Sequence, residues 1–123
     1  EVAVVEQATT SVALLADADA KPGWMLALTK NKAGKTEVRV NALASLKTID
    51  DKSFELWILP ADKSAPISLG VLPQQGQQQV VVSEKTAALL LNSGLAVSLE
   101  PVGGSPTGGP TGAVLYQGKL TEI

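Results

Sequence analysis

The chain contains no histidine and no cysteine. The first absence removes the usual general base near neutral pH, the commonest transition-metal ligand and the middle member of a serine triad. The second removes disulfides, thiolate metal sites and cysteine nucleophiles, and leaves the compartment open because many exported domains lack disulfides. Charge of one sign is scarce as well. Ten Lys and Arg stand against twelve Asp and Glu, a net charge of −2 with no basic run, so nucleic acid is not an expected partner. No apolar stretch reaches the ~18–20 residues needed to cross a bilayer, and no charged segment followed by an apolar one marks an export signal. The chain opens at Glu1 without a methionine and is read as a trimmed or processed product, with further sequence expected upstream.

What is present suits one compact core. With 123 residues and 45% hydrophobic residues, a single domain is expected. TEVRVN at 36–41 alternates apolar and polar, the period of a half-buried strand, and WMLALT at 24–29 precedes it across NKAGK, where Gly34 can take a positive φ; together they predict a hairpin. VAVVE at 2–6 and SVALLA at 11–16 read as earlier strands, followed by turn residues Asp17, Asp19, Pro22 and Gly23. FELWIL at 54–59 is apolar on both faces, which predicts a central, doubly covered strand. ISLGVL at 67–72 ends at Pro73 and forms a second hairpin with it. VVV at 80–82 begins a short strand. Ser83 and Glu84 then supply a hydroxyl cap and a first-turn carboxylate for the one predicted helix, closed by Asn92 and Gly94. LAVSLE at 95–100 alternates with Leu95, Val97 and Leu99 inward and Ser98 and Glu100 outward, and AVLYQGKL at 113–120 is the last strand. The fold class is all-β: an antiparallel β-sandwich or partly open barrel of about eight or nine short strands with one short helix.

Between the last two strands lies PVGGSPTGGPTG, residues 101–112, with five glycines and three prolines. Eleven residues follow it, too few for an independent module, so it is a loop within one fold and not a linker. Its backbone N–H groups could bind an anion, but it lacks the Gly-Lys-Ser/Thr ending of a phosphate loop and runs into a strand, not a helix. Pro106 and Pro110 instead predict a stiffened loop of fixed shape. Ser105, Pro106, Thr107, Pro110 and Thr111 are therefore the candidate interaction surface. Trp57 joins them because its strand has a second apolar face that something must cover. Trp24, Phe54 and Tyr116 also fall in strand patterns and are assigned to core packing over a binding platform.

Reactive chemistry is not predicted from what remains. Asp50 and Asp51 read as a solvated turn before Phe54, and Asp17 and Asp19 as a turn, since a calcium ion needs more oxygen ligands than this stretch offers. Lys63 and Lys85 lie near serines but in polar surroundings, where an amine is not activated. A glycosidase-like pair of carboxylates would have to converge about 5–10 Å apart in a cleft, and the acidic residues cluster in turns. No catalytic residue, metal ligand or cofactor is assigned.

FELWILPADKSAPISLGVLP at 54–73, followed by LAVSLEPVGGSPTGGPTGAVLYQGKL at 95–120, resembles the C-terminal, extracytoplasmic domain of the anti-sigma-K factor family. The WMLALT and TEVRV hairpin extends the likeness over most of the chain, and residues 1–10 carry little of it. The resemblance implies a non-enzymatic regulatory domain of a membrane-anchored anti-sigma factor, placed on the outer side of the membrane. It further implies a sigma factor bound by a cytoplasmic segment upstream of Glu1, a membrane helix between the two, and a regulatory protease that cuts the tether. Residues 1–10 are then a membrane-proximal stalk or first strand, and 11–123 a single domain; homo-oligomerisation is left open. The alternative is a secreted adhesion or carbohydrate-binding module with the 101–112 loop as its contact surface.

Overall fold

The computed structural model describes residues 8–30, 33–43 and 51–122. Among these the chain forms β1 (Ala8–Ala16), β2 (Pro22–Lys30), β3 (Thr36–Ala42), β4 (Lys52–Leu59), β5 (Ile67–Val71), β6 (Gln77–Val82), α1 (Glu84–Leu91), β7 (Gly94–Pro101), β8 (Val114–Lys119) and β9 (Thr121–Glu122). Neighbours in the sheet run β5, β4, β7, β8, β1, β2, β3, β6, with β9 also paired to β1, and every pairing is antiparallel. This is one sheet curled into a half-barrel. Of the two architectures expected, the partly open barrel is the one found and the two-sheet sandwich is not. The twist between adjacent strands accumulates, so a sheet this wide buries its apolar face by curling on itself.

The predicted hairpin of β2 and β3 pairs Trp24 with Ala42 through to Lys30 with Thr36, and Gly34 in its turn takes φ +82°. One strand starts earlier than expected: β1 includes Ala8–Thr10 as well as the predicted 11–16, passing a register shift between Thr9 and Ser11. The predicted strand at 2–6 and Asp50 lie outside the described residues. α1 forms where its cap signals place it, with Ser83 Oγ accepting from the Thr86 N–H at 3.1 Å.

Alternation decides which side chains fill the barrel. Ala13 and Leu15, Trp24, Leu26 and Leu28, Val38 and Val40, Phe54, Leu56 and Ile58, and Leu95 and Val97 share one core with Leu72, Leu90 and Leu120. At its centre Trp24 packs edge-on against Phe54 and Tyr116 with ring centroids 5.0 and 4.9 Å apart. Its indole N–H donates to the Pro73 carbonyl at 2.8 Å. Gly23 is required beside this cluster, because a Cβ there would lie 2.8 Å from Tyr116.

The two edge strands, β5 and β6, meet through side chains. Leu56, Leu69, Val71 and Leu72 face Val38, Val40, Val80 and Val82 across a seam whose cavity is about 10 Å³, room for about one water. β5 is short and flanked by Pro66 and Pro73, features that blunt an exposed edge against pairing with another chain.

Because Trp24 joins β2, β4 and β8, Trp24→Ala is expected to lower stability by about 3–5 kcal/mol in urea unfolding. A loss below about 1 kcal/mol would show that the ring cluster does not organise the core.

Candidate functional site

β4 turns Phe54, Leu56 and Ile58 into the barrel, so Ser53, Glu55 and Trp57 point the other way. On β7 the residues opposite them are Glu100, Ser98 and Ala96. An outer face carrying two carboxylates and two hydroxyls would ordinarily face water. Here Glu55, Trp57, Ala96, Ser98 and Glu100 are all buried, Ser98 and Glu100 completely. Ser98 and Glu100 point outward as the alternation predicts, but outward here is not toward solvent. They do leave the barrel interior, but the chain returns over them as the 101–112 loop.

Glu100 is the main anchor of that loop. Its carboxylate accepts from the Thr111 N–H at 3.1 and 3.0 Å, from the Gly112 N–H at 3.1 Å, and from the hydroxyls of Thr111 and Ser98. Ser98 Oγ in turn accepts from the Trp57 indole N–H at 2.8 Å. Two successive backbone N–H groups converging on one carboxylate form a small anion-binding concavity. Burial pushes the Glu100 carboxyl up, and the hydrogen bonds from Ser98, Thr111 and Gly112 outweigh it, holding the group below the ordinary glutamate value of 4.5.

Glu55 is the second anchor. It accepts from the Ser105 N–H at 2.6 Å and from the Ser68 hydroxyl. The Gly103 N–H donates to Ser53 Oγ at 3.2 Å and the Val102 N–H to the Asp51 carbonyl at 3.2 Å. Within the loop Ser105 Oγ donates to the Gly109 carbonyl and accepts from the Thr107 N–H at 3.2 Å. Backbone donors in this glycine-rich loop therefore do bind anions, and the anions are the chain's own glutamates.

Glycine is demanded at two points. Gly104 has φ +109°, and a Cβ there would sit 3.0 Å from Glu55 Oε1; one at Gly112 would lie 1.7 Å from the Leu99 carbonyl oxygen.

The candidate residues separate accordingly. Pro106 and Thr107 are exposed at the outside of the loop, Ser105 and Pro110 are half-buried, and Thr111 is exposed with its N–H and hydroxyl committed to Glu100. Trp57 does not join them as a contact surface. It is fully buried with its one polar atom satisfied, so the expected partner for its face is not needed: the chain provides the cover. Sequence reasoning missed Glu55, Ser98 and Glu100. The only signal for them was that two carboxylates alternate with apolar residues next to a loop rich in free backbone N–H groups. The acidic turns are turns. Asp17 Oδ1 accepts from the Asp19 and Lys21 N–H groups at 2.9 Å, and Asp62 Oδ1 accepts from Ser64, which lowers its pKa. Among the described residues no group of three or more acidic side chains converges on a metal site.

Two measurements check this arrangement. Glu100→Gln leaves the Thr111 and Gly112 N–H groups facing an amide and is expected to cost about 2–3 kcal/mol at pH 7. Because the folded pKa of Glu100 is depressed, its contribution is complete above the unfolded value near 4.5 and is lost as pH falls through the lower folded value. Acid titration of stability should therefore be shallower in the variant, and parallel curves would contradict the anchor. Separately, Gly112→Ala should destabilise by at least about 1–3 kcal/mol through overpacking. Gly109→Ala, whose Cβ would meet nothing within 4 Å, should be near neutral in the same thermal melts.

No curated protein and no solved structure matches the chain. A family model does: the one described as "Anti-sigma-K factor rskA, C-terminal" matches residues 2–114. That span takes in the 54–73 block, the 95–120 block as far as Val114, the β1–β3 strands, and the loop with both of its glutamate anchors. The chain therefore belongs to the anti-sigma-K factor C-terminal domain family.

Proposed function

We propose that this domain is the extracytoplasmic, non-enzymatic regulatory part of a membrane-anchored anti-sigma factor. In this reading a cytoplasmic segment upstream holds the sigma factor, a membrane helix lies between that segment and Glu1, and residues 1–10 form the stalk a regulatory protease must engage. Family membership over residues 2–114 is the observation that carries the proposal. The described residues contain no helix long and apolar enough to cross a membrane.

The fold supplies a physical route from domain to stalk. The stalk's last residues, Ala8–Thr10, are already part of β1. β1 lies inside the sheet, paired with β2 along its whole length and with β8 and β9 on its other side. Proteases take their substrates as extended, unpaired chain, so a strand held on both edges is protected until the sheet opens. A ligand or partner changes that protection only by its difference in affinity for the closed and opened forms. The rigid outer rim of the loop, with Pro106 and Thr107 exposed, is the contact surface offered to such a partner.

The test is the rate of cutting of a membrane-tethered full protein. Gly112→Ala, by loosening the loop and β8, should speed cutting several-fold relative to Gly109→Ala. Equal rates with the domain intact, scrambled or deleted would defeat the guard role.

A further inference from the structure

β6 is an edge strand without the protection that β5 has. Its six residues, QQQVVV, include no proline and no charged side chain, whereas β5 pairs through a register shift between Leu56 and Trp57 and is flanked by Pro66 and Pro73. The ladder with β3 shows which backbone groups of β6 are spare. The Ala42 N–H donates to the Gly76 carbonyl at 2.9 Å, and hydrogen-bonded pairs in an antiparallel ladder recur at every second residue. Gln78, Val80 and Val82, opposite Val40, Val38 and Thr36, are thus the residues bonded to β3. The N–H and C=O groups of Gln77, Gln79 and Val81 point to the open edge, with no ladder partner among the described residues.

Burial shows the same incompleteness. Val38 and Val40 are buried with β6 beside them, but Val80 and Val82 on the same inner face are only half-buried, and Val81 on the outer face is 57% exposed. Across the seam β5 offers the side chains of Leu69 and Val71 in place of a ladder, and Gln78 Nε2 reaches the Val71 carbonyl at 3.4 Å. Parting the two strands therefore breaks no ladder bond.

We propose that the seam between β5 and β6 accepts one extended segment of another protein, paired antiparallel with β6 and apolar at alternate positions. Such a segment supplies what the edge lacks: backbone partners for Gln77, Gln79 and Val81, and apolar cover for Val80 and Val82. Directly opposed residues share a face of the sheet, so the residues bonded to β6 turn outward and those between them turn inward against Val80, Val82 and Leu69. β5 and β6 contain no ionisable side chain to pair with a charged segment, which selects a neutral one. A second copy of this chain fits less well. Its β6 would arrive attached to β3, and the wall of Leu69 and Val71 stands where that β3 would have to lie. The edge is independent of the regulatory reading above.

The probe is the peptide acetyl-Thr-Val-Thr-Val-Thr-Val-Thr-amide, titrated into the isotopically labelled protein and followed by amide shifts and hydrogen exchange. In the free protein the Gln77, Gln79 and Val81 amides should exchange faster than those of Gln78, Val80 and Val82. The peptide should slow all three and shift signals along β5 and β6. N-methylation of its threonines removes the donors that face β6 and should weaken binding at least about ten-fold, whereas N-methylation of its valines should weaken it less. Gln79→Pro deletes one edge donor without removing a bond to β3, so it should stay folded and bind the peptide several-fold more weakly. If that variant unfolds, the two methylated peptides still decide. Slow exchange of the three amides in the free protein, shifts absent or lying elsewhere, equal binding of both methylated peptides, or a dimer formed through β6 would overturn the proposal.

Discussion

A carboxylate withdrawn from water is tolerated only where other donors replace its hydration, and at Glu100 most of those donors come from residues eleven and twelve positions further along the chain. Fixing the backbone of a loop costs about 1–2 kcal/mol per residue in conformational entropy, so the 101–112 segment would stay loose without something to hold it. Pro106 and Pro110 reduce the freedom it has to lose. Glu55 and Glu100, with Ser98 and Trp57 behind them, supply the interactions that offset the remainder. Each side needs the other: the loop shields the glutamates from solvent, and the glutamates give the loop its shape.

That mutual dependence reaches well beyond the loop. The segment is followed by Ala113, whose carbonyl accepts from the Leu99 N–H at 3.0 Å, and β8 begins at the next residue. β8 brings Tyr116 onto Trp24 and Phe54 and touches β1 through the pair Ala16 and Gln117. Leu120 enters the core just before β9 pairs with Ser11 and Val12. The Glu100 anchor thus sets where β8 and β9 lie along β1, and β1 is the strand that continues the proposed stalk. Regulation through such a path requires no chemical step, because holding or releasing one strand needs only a difference in stability between two arrangements.

Much of this architecture follows from local pattern. Period-two alternation fixed the β2 and β3 hairpin and the inward set of β4, Ser83 marked the helix start, and Pro73 marked a strand end. Both faces of β4 were recognised as needing cover. The covering element was not identifiable, because a Gly/Pro-rich stretch has no periodicity and its path depends on donors and acceptors far apart in the chain. For the same reason Trp57 read as an interface residue, and the cover over the outward Ser98 and Glu100 was not foreseen.

What the sequence determined by itself is therefore the all-β class, the strand spacing, the absence of imidazole and thiol chemistry, and the family. Only the tertiary structure decided that the nine strands of the described residues form one half-barrel, that the outer face of β4 and β7 is internal, and that a cavity opens between α1 and the sheet. The physical reason is range: alternation and capping act between residues a few positions apart. Burial of Glu100, the fit of Gly112 against Leu99 and the opening beneath α1 arise only when distant segments are brought together by the curl of the sheet.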